Sequence, residues 1–336
     1  MSMTMKENFL RLMRNDNPKW LGDPWDCYCE NKFFRPALFD GGVLCWHPAQ
    51  PGAKNHVDAW GVTWDWPFDQ PGATPHVTYE NCVVKDITQW DKYLKFPDVD
   101  SFNWAPFDAQ AAHLDRENKL VMVANFSGMF EFSHLVMPFD EALCNYIEEP
   151  EAMFDMLSAY TDWKIKCVAA SIEHTKPDVI HHHDDWGSKH ALFLSPEIWR
   201  KLIKPHYERF YGFIKSKGVL VQHHSDCFNE GLENDMVDIG IDMWQGAIPQ
   251  NNIKKMIENT NGKLCVMGGM DMQLIDLPDA KEEVIRAEVR RAIDEYVPLG
   301  NFIPCVANIF PIHKDVEAII NDELRTYGAE YAAKHF

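Results

Sequence analysis

Apolar and polar positions along this chain follow two different rhythms, with the change near Pro106. Met5 to Arg14 has helical spacing, with Phe9, Leu10 and Met13 on one face, and Asn-Asp-Asn-Pro ends it. From there to about Pro106 no period holds. The stretch is dense in Trp, Pro and Gly (Trp20, Trp25, Trp46, Trp60, Trp64 and Trp66, with Pro-Gly at Pro51 and Pro71), which predicts long loops anchored by aromatic rings. It reads as a cap or entrance structure and not as a separate domain. Residues 1–336 are therefore expected to form one domain, with 1–106 supplying the N-terminal helix, cap loops and first strands, and 107–336 the main βα repeats.

After Lys119 the pattern alternates. K-L-V-M-V-A-N is a buried-strand candidate, and a helical reach runs from Asp140 to about His174, broken near Glu149-Pro150. P-D-V-I-H-H-H-D-D follows, then a helix with Ser195 as N-cap and Pro196 in its first position, then G-V-L-V-Q-H-H. G-I-D-M-W-Q-G, a helix after Pro249, K-L-C-V-M-G-G, a helix from about Asp279 to Tyr296, N-F-I-P-C-V and a helix from about Lys314 complete the series. Strands alternating with long helices imply parallel βαβ units with right-handed crossovers. With no Gly-rich phosphate loop, this α/β pattern predicts a (β/α)8 TIM barrel over a doubly wound sheet. In a barrel the C-terminal strand ends surround one mouth. His181, His182, His183, Asp184 and Asp185 would end one strand, His223, His224, Asp226 and Cys227 the next, and Gln245, Gly268, Asp271 and Cys305 later ones.

Composition narrows the partners. The formal net charge of −19 opposes a nucleic-acid or anionic-membrane partner, and a small molecule or another protein fits better. Polar residues interrupt the N-terminal stretch where a secretory leader needs an apolar run, and no segment approaches a membrane span, so the chain reads as cytoplasmic. Nine cysteines scattered through a long chain predict reduced thiols. Cys144, Cys167 and Cys265 sit in apolar patterns and are expected in the core, whereas Cys305, at a strand end, is open to either role.

The chemistry-bearing stretch is Q-H-H-S-D-C at residues 222–227, which delivers metal-ligand and acid-base residue types into the turn after a strand. In H-H-H-D-D, strand alternation sends His181 and His183 to one side and His182 and Asp184 to the other, without saying which side is the mouth. The expectation is that Asp184 and His182 or His183 reach the mouth while Asp185 caps the turn. Desolvating so many imidazoles and carboxylates together is costly unless they are paired or do work. Trp186 and Trp244, near strand ends, are candidates to wall a pocket for an aromatic methyl donor or a quaternary amine.

The ordered set D-D-W-G, S-P-E-I-W-R-K-L-I-K-P, Q-H-H-S-D, M-G-G-M-D and N-I-F-P resembles the uroporphyrinogen decarboxylase superfamily, over roughly Lys119 to the C-terminus, with weaker support from the N-terminal helix and D-A-W-G-V-T-W. That resemblance implies a (β/α)8 barrel from one of two branches, porphyrinogen decarboxylases or methyltransferases serving corrinoid proteins. The decarboxylase branch carries an Arg-rich R-Q-A-G-R strand and a His before Gly-Ile, where this chain has R-P-A-L-F at Arg35 and A-N-I at Ala307. The methyltransferase branch holds zinc with an H-x-C turn and a distant Cys. Here Asp226 stands where that Cys would be, with Cys227 one place later and Cys305 distant. A zinc set of His224, Asp226 and Cys305, or of His224, Cys227 and Cys305, is chemically acceptable, and H-S-D is also the pattern of metal-free members.

What the resemblance implies is methyl transfer between a small methylated substrate, of methoxyaromatic or methylamine type, and a corrinoid protein. His224, Asp226 and Asp184 are the expected catalytic residues, and His182, His183, Trp186, Gln245 and Asp271 the expected substrate contacts. No corrinoid-binding D-x-H-x-x-G signature occurs, so the corrinoid is expected on a separate protein; a homodimer is left open. The alternatives are a decarboxylase and a non-catalytic tetrapyrrole- or corrinoid-binding barrel.

Overall fold

A computed structural model describes residues 3–29, 49–70, 72–308 and 313–336. Arg35, Trp46, Pro71 and the I-F-P of N-I-F-P lie outside these residues. The N-terminal helix spans Met5–Arg14, with Phe9, Leu12 and Met13 buried and Thr4 Oγ1 capping the Glu7 N–H. A small antiparallel sheet follows, of strands His56–Val57 (β1), Thr63–Asp65 (β2) and Thr74–Pro75 (β3). Its Trp64 and Val62 share a minor apolar cluster with Leu135, and Trp60 joins that cluster to the main core.

The main sheet has six parallel strands in sequence order: Met122–Asn125 (β4), Val179–His183 (β5), Leu220–His224 (β6), Met243–Ala247 (β7), Cys265–Gly269 (β8) and Phe302–Cys305 (β9). Each is buried along nearly its whole length, as expected where helices cover one face and the barrel interior the other. Tyr28 runs parallel beside Leu120 at the start of β4, while the 3-10 turn just before it, Pro24–Cys27, packs against β9. The Tyr28 hydroxyl accepts a hydrogen bond across the interior from Gln222 Nε2 at 3.1 Å. This segment thus lies between the two outer strands of the series.

Register decides which side chains share a row. His181 pairs with Gln222, and His183 pairs with His224, which pairs in turn with Gln245; these rows face the interior. His182, His223 and Trp244 form the alternate row, facing the helices. The helical reach after β4 is split as its Glu-Pro break predicts, into Phe139–Glu148 and Pro150–Thr175, and Ser195 Oγ caps the Ile198 N–H of the helix Pro196–Leu202. Two features depart from the sequence pattern. A further helix, Met129–Val136, directly follows β4, and Cys144 lies exposed on the solvent side of its helix, whereas Cys167 and Cys265 are buried.

Candidate active site at the barrel mouth

The turn after β4 sets the site. Ser127 adopts φ +61°, an uncommon conformation for a residue with a Cβ, and its carbonyl accepts from Tyr160 Oη (2.8 Å) and Lys164 Nζ (3.1 Å). Gly128 comes next because nothing larger fits: a Cβ there would stand 2.0 Å from Asp184 Cβ. The helix Met129–Val136 therefore starts directly against Asp184, whose carboxylate accepts from the Phe130 N–H (3.1 Å), the Glu131 N–H (2.8 Å), Trp186 Nε1 (2.8 Å) and Tyr207 Oη (2.6 Å). Burial and the nearby Glu131 push the Asp184 carboxyl up to about 6, against the pull of these bonds. All its acceptor capacity is turned inward. Asp184 is an anchor for a helix N-terminus, and not the mouth-facing catalytic group expected of it.

What that anchor positions is Glu131, on the first turn of the helix, whose carboxylate meets His183 Nδ1 at 3.0 Å. Nδ1 of His183 is thereby committed, and Nε2 faces the Asp185 carboxylate at 3.9 Å. Burial works against charge on this ring, but Glu131, Asp185 and Asp226 overcome it and raise His183 to about 10. On β7, Gln245 Nε2 donates to the carbonyls of Val306 (2.9 Å) and Ala307 (3.0 Å), which fixes its amide with Oε1 toward Nδ1 of His224 on β6. His224 thus holds its proton on Nδ1 and presents the lone pair of Nε2. That nitrogen is buried, has no hydrogen-bond partner among the described residues, and lies 3.9 Å from Asp226 Oδ2. Burial, and then His183 and His181, push His224 well below the usual imidazole range, so it is neutral.

The two strand-end turns are tied together by Asp185, whose Oδ1 accepts the Asp226 N–H at 3.0 Å. Close approach of β7 to this turn requires Gly246, at φ +107°, where a Cβ would meet the Ser225 carbonyl at 2.7 Å. Burial and Asp226 hold the Asp185 carboxyl well above the usual range, and burial raises that of Asp226, opposed by His183. Donor atoms of His183, Asp185 and His224 all lie within 4.8 Å of one another. Asp226 keeps 34% of its side-chain exposure against 1% for His224, which makes it the member of the group that an incoming molecule meets. It borders a cleft of about 430 Å³ lined also by Lys189, Asp271, Gln273, Asp276 and Asn308.

Of the residues expected from the sequence, His183 and His224 come together around Asp185, Asp226 stands 3.9 Å from His224, Gln245 orients His224 from behind, and Asp271 reaches the cleft while capping the short helix Met272–Ile275. His182 does not reach the mouth: its ring packs among Phe210, Tyr207 and Tyr211 in the helix layer. Trp186 stacks on His223 with ring centroids 4.3 Å apart, and Trp244 donates to the Ser225 carbonyl; both are core residues, not pocket walls. The sequence reading passed over Glu131 and gave Asp185 only a turn-capping role. A Gly-x-x-Glu step directly after a strand was the available signal for Glu131, since the Gly128 N–H and the Glu131 carboxylate form half of a capping box.

The thiolate zinc sets do not assemble. Cys227 Sγ turns away under its loop, accepting the Gly187 N–H at 3.1 Å beside Ser225 Oγ. Cys305 is buried in the interior, close enough to Cys265 and Tyr28 to influence both electrostatically, and neither cysteine belongs to the group around His224.

No helix among the described residues is long and apolar enough to cross a membrane. Nothing among the curated proteins matches the chain. Among solved structures, a methyltransferase from Methanosarcina mazei is similar over 97% of this chain and 100% of that one, with a TM-score of 0.62 and 15% identity, a likeness of fold. The profile of the uroporphyrinogen decarboxylase (URO-D) family, whose fold is the (β/α)8 barrel, matches residues 59–318, and the chain belongs to that family.

Proposed function

We propose that the chain is a methyltransferase that moves a methyl group from a small methylated substrate, of methoxyaromatic or methylamine type, to the corrinoid of a separate protein. The observation that carries this reading is the pair formed by His224 Nε2, buried and fixed as a lone-pair nitrogen, and the Asp226 carboxyl that stands between it and the cleft. Breaking a C–O or C–N bond leaves its electrons on oxygen or nitrogen, a poor leaving group unless it is protonated as it departs. Asp226 is placed to give that proton and, with a third of its side chain exposed, to regain one from solvent beside the neutral His224, and the methyl carbon would pass to the partner's corrinoid. Fold similarity to a methyltransferase supports the same branch.

Charge around the cleft favours this reading over decarboxylation of a polycarboxylate. Asp226, Asp271 and Asp276 line it, and Lys189, the one cation among the described lining residues, is bonded to Gln273. Such a wall repels substrate carboxylates that a decarboxylase must grip. The test mixes the purified protein with reduced corrinoid proteins and a panel of methoxyaromatics and methylamines, following the cobalt absorbance. Methylation of cobalt by one donor class is expected. Carbon dioxide release from a carboxylated substrate with no methylation by any donor would assign the decarboxylase alternative instead.

A further inference from the structure

We propose that the mouth binds a divalent cation on nitrogen and oxygen donors alone: His183 Nε2, His224 Nε2 and a carboxylate oxygen of Asp185, with no cysteine thiolate. Geometry carries the proposal. Both imidazoles have Nδ1 committed to an acceptor, His183 to Glu131 and His224 to Gln245, so each turns Nε2 toward a carboxyl group of the mouth, His183 toward Asp185 and His224 toward Asp226. Their rings stack with centroids 4.6 Å apart. A carboxylate or amide behind each ring is the usual support of a metal-bound histidine, since it fixes the tautomer and raises ligand basicity.

His224 Nε2 is the second, independent sign. It is buried, aimed into the group, and has no hydrogen-bond partner among the described residues, a state that costs free energy unless something binds there. The facing carboxyl groups supply the opposite half of the argument, because Glu131, Asp185 and Asp226 crowd around the two imidazoles, where ionised carboxylates would repel one another unless a cation stood among them. His183 Nε2 and Asp185 Oδ2 stand 3.9 Å apart and the three donors lie within 4.8 Å of one another, wider than the roughly 3.3 Å between donors around a zinc-sized ion. Rotation of the part-exposed Asp185 side chain would bring its oxygen inward, and an ion would draw the two imidazoles together. Two imidazoles and one carboxylate suit zinc and its first-row neighbours, and the donor count leaves a position open toward the cleft.

As an ion-binding site this inference stands on the side chains alone; as an activator of the leaving heteroatom it rests on the methyl-transfer reading. The experiment titrates chelator-stripped, full-length protein with Zn(II) and with Co(II), measuring stoichiometry and affinity. One ion per chain is expected, with affinity reduced on the order of 100-fold or more in His183→Ala and His224→Ala and roughly 10–100-fold in Glu131→Gln, and unchanged in Cys227→Ser and Cys305→Ser. The Co(II) form should lack a thiolate-to-cobalt charge-transfer band. Should the histidine variants fail to fold, Asp185→Asn, at a part-exposed position, carries the same expectation, with a thermal melt as control. A thiolate band, weakened binding in either cysteine variant, unchanged binding in Asp185→Asn, or no binding of either ion overturns the proposal. Protein that binds as described but methylates no corrinoid keeps the site and removes the activity reading.

Discussion

Glu131→Gln tests the buried arrangement behind the mouth without touching a donor atom. In chelator-stripped protein the environment raises His183 from 6.5 to about 10, a stabilisation of the charged ring worth about 5 kcal/mol at ~1.4 kcal/mol per unit. Burial opposes it, and among the groups that favour it Glu131 is the largest, ahead of Asp185 and Asp226. Both partners are nearly solvent-free, so little of this is lost to screening. The amide keeps the shape and loses the charge, which should cost about 2–3 kcal/mol, or roughly 3–4 °C in thermal midpoint for a chain of this size. The sign follows from the direction of the shift. A raised histidine contributes stability that is fully present below its unfolded value and is lost as pH rises through about 10. The gap between wild type and variant should therefore be widest near pH 6 and close toward pH 10. The assay is urea unfolding across that range, with the His183 ring followed by NMR. A variant whose His183 titrates as in wild type, or whose deficit does not change with pH, would refute the reasoning.

Gly128→Ala should destabilise by about 3 kcal/mol or more, read as a lower urea midpoint, because the new methyl overlaps Asp184. Lys164, buried with its ammonium on the Phe126 and Ser127 carbonyls, is held down to about 7, chiefly by burial. Its unfolded form binds the proton that the folded form releases, so wild-type stability should gain up to ~1.4 kcal/mol per pH unit between about 7 and 10.5 from this group, and Lys164→Met should lose that slope. Removing the Ser195 cap in Ser195→Ala should cost about 1 kcal/mol without altering ion binding.

Much of the architecture was legible because period and caps are local. The break at Glu149-Pro150, the Ser195 cap and the six strands in order all follow from nearest-neighbour chemistry. The site was legible only in residue types. Alternation separated His181 and His183 from His182, but the face was decided by inter-strand register, which aligns His183 with His224 and Gln245. Two consecutive aspartates received opposite roles because Gly128 lets a helix N-terminus reach Asp184, a contact 54 residues apart in sequence for Phe130. The expected thiolate at Cys227 failed for a local reason: its sulfur is taken by the Gly187 N–H, and Asp226 holds the mouth-facing place.

The central claim is that chemistry occurs where Asp226 and His224 meet the cleft. The most direct measurement is the rate of corrinoid methylation by Asp226→Asn and His224→Ala, beside their thermal midpoints. A fall of roughly 100-fold or more in each, with Asp226→Asn melting within a few degrees of wild type, is the predicted result. Unchanged activity per folded molecule in Asp226→Asn would contradict the account and leave this carboxyl a bystander at the mouth.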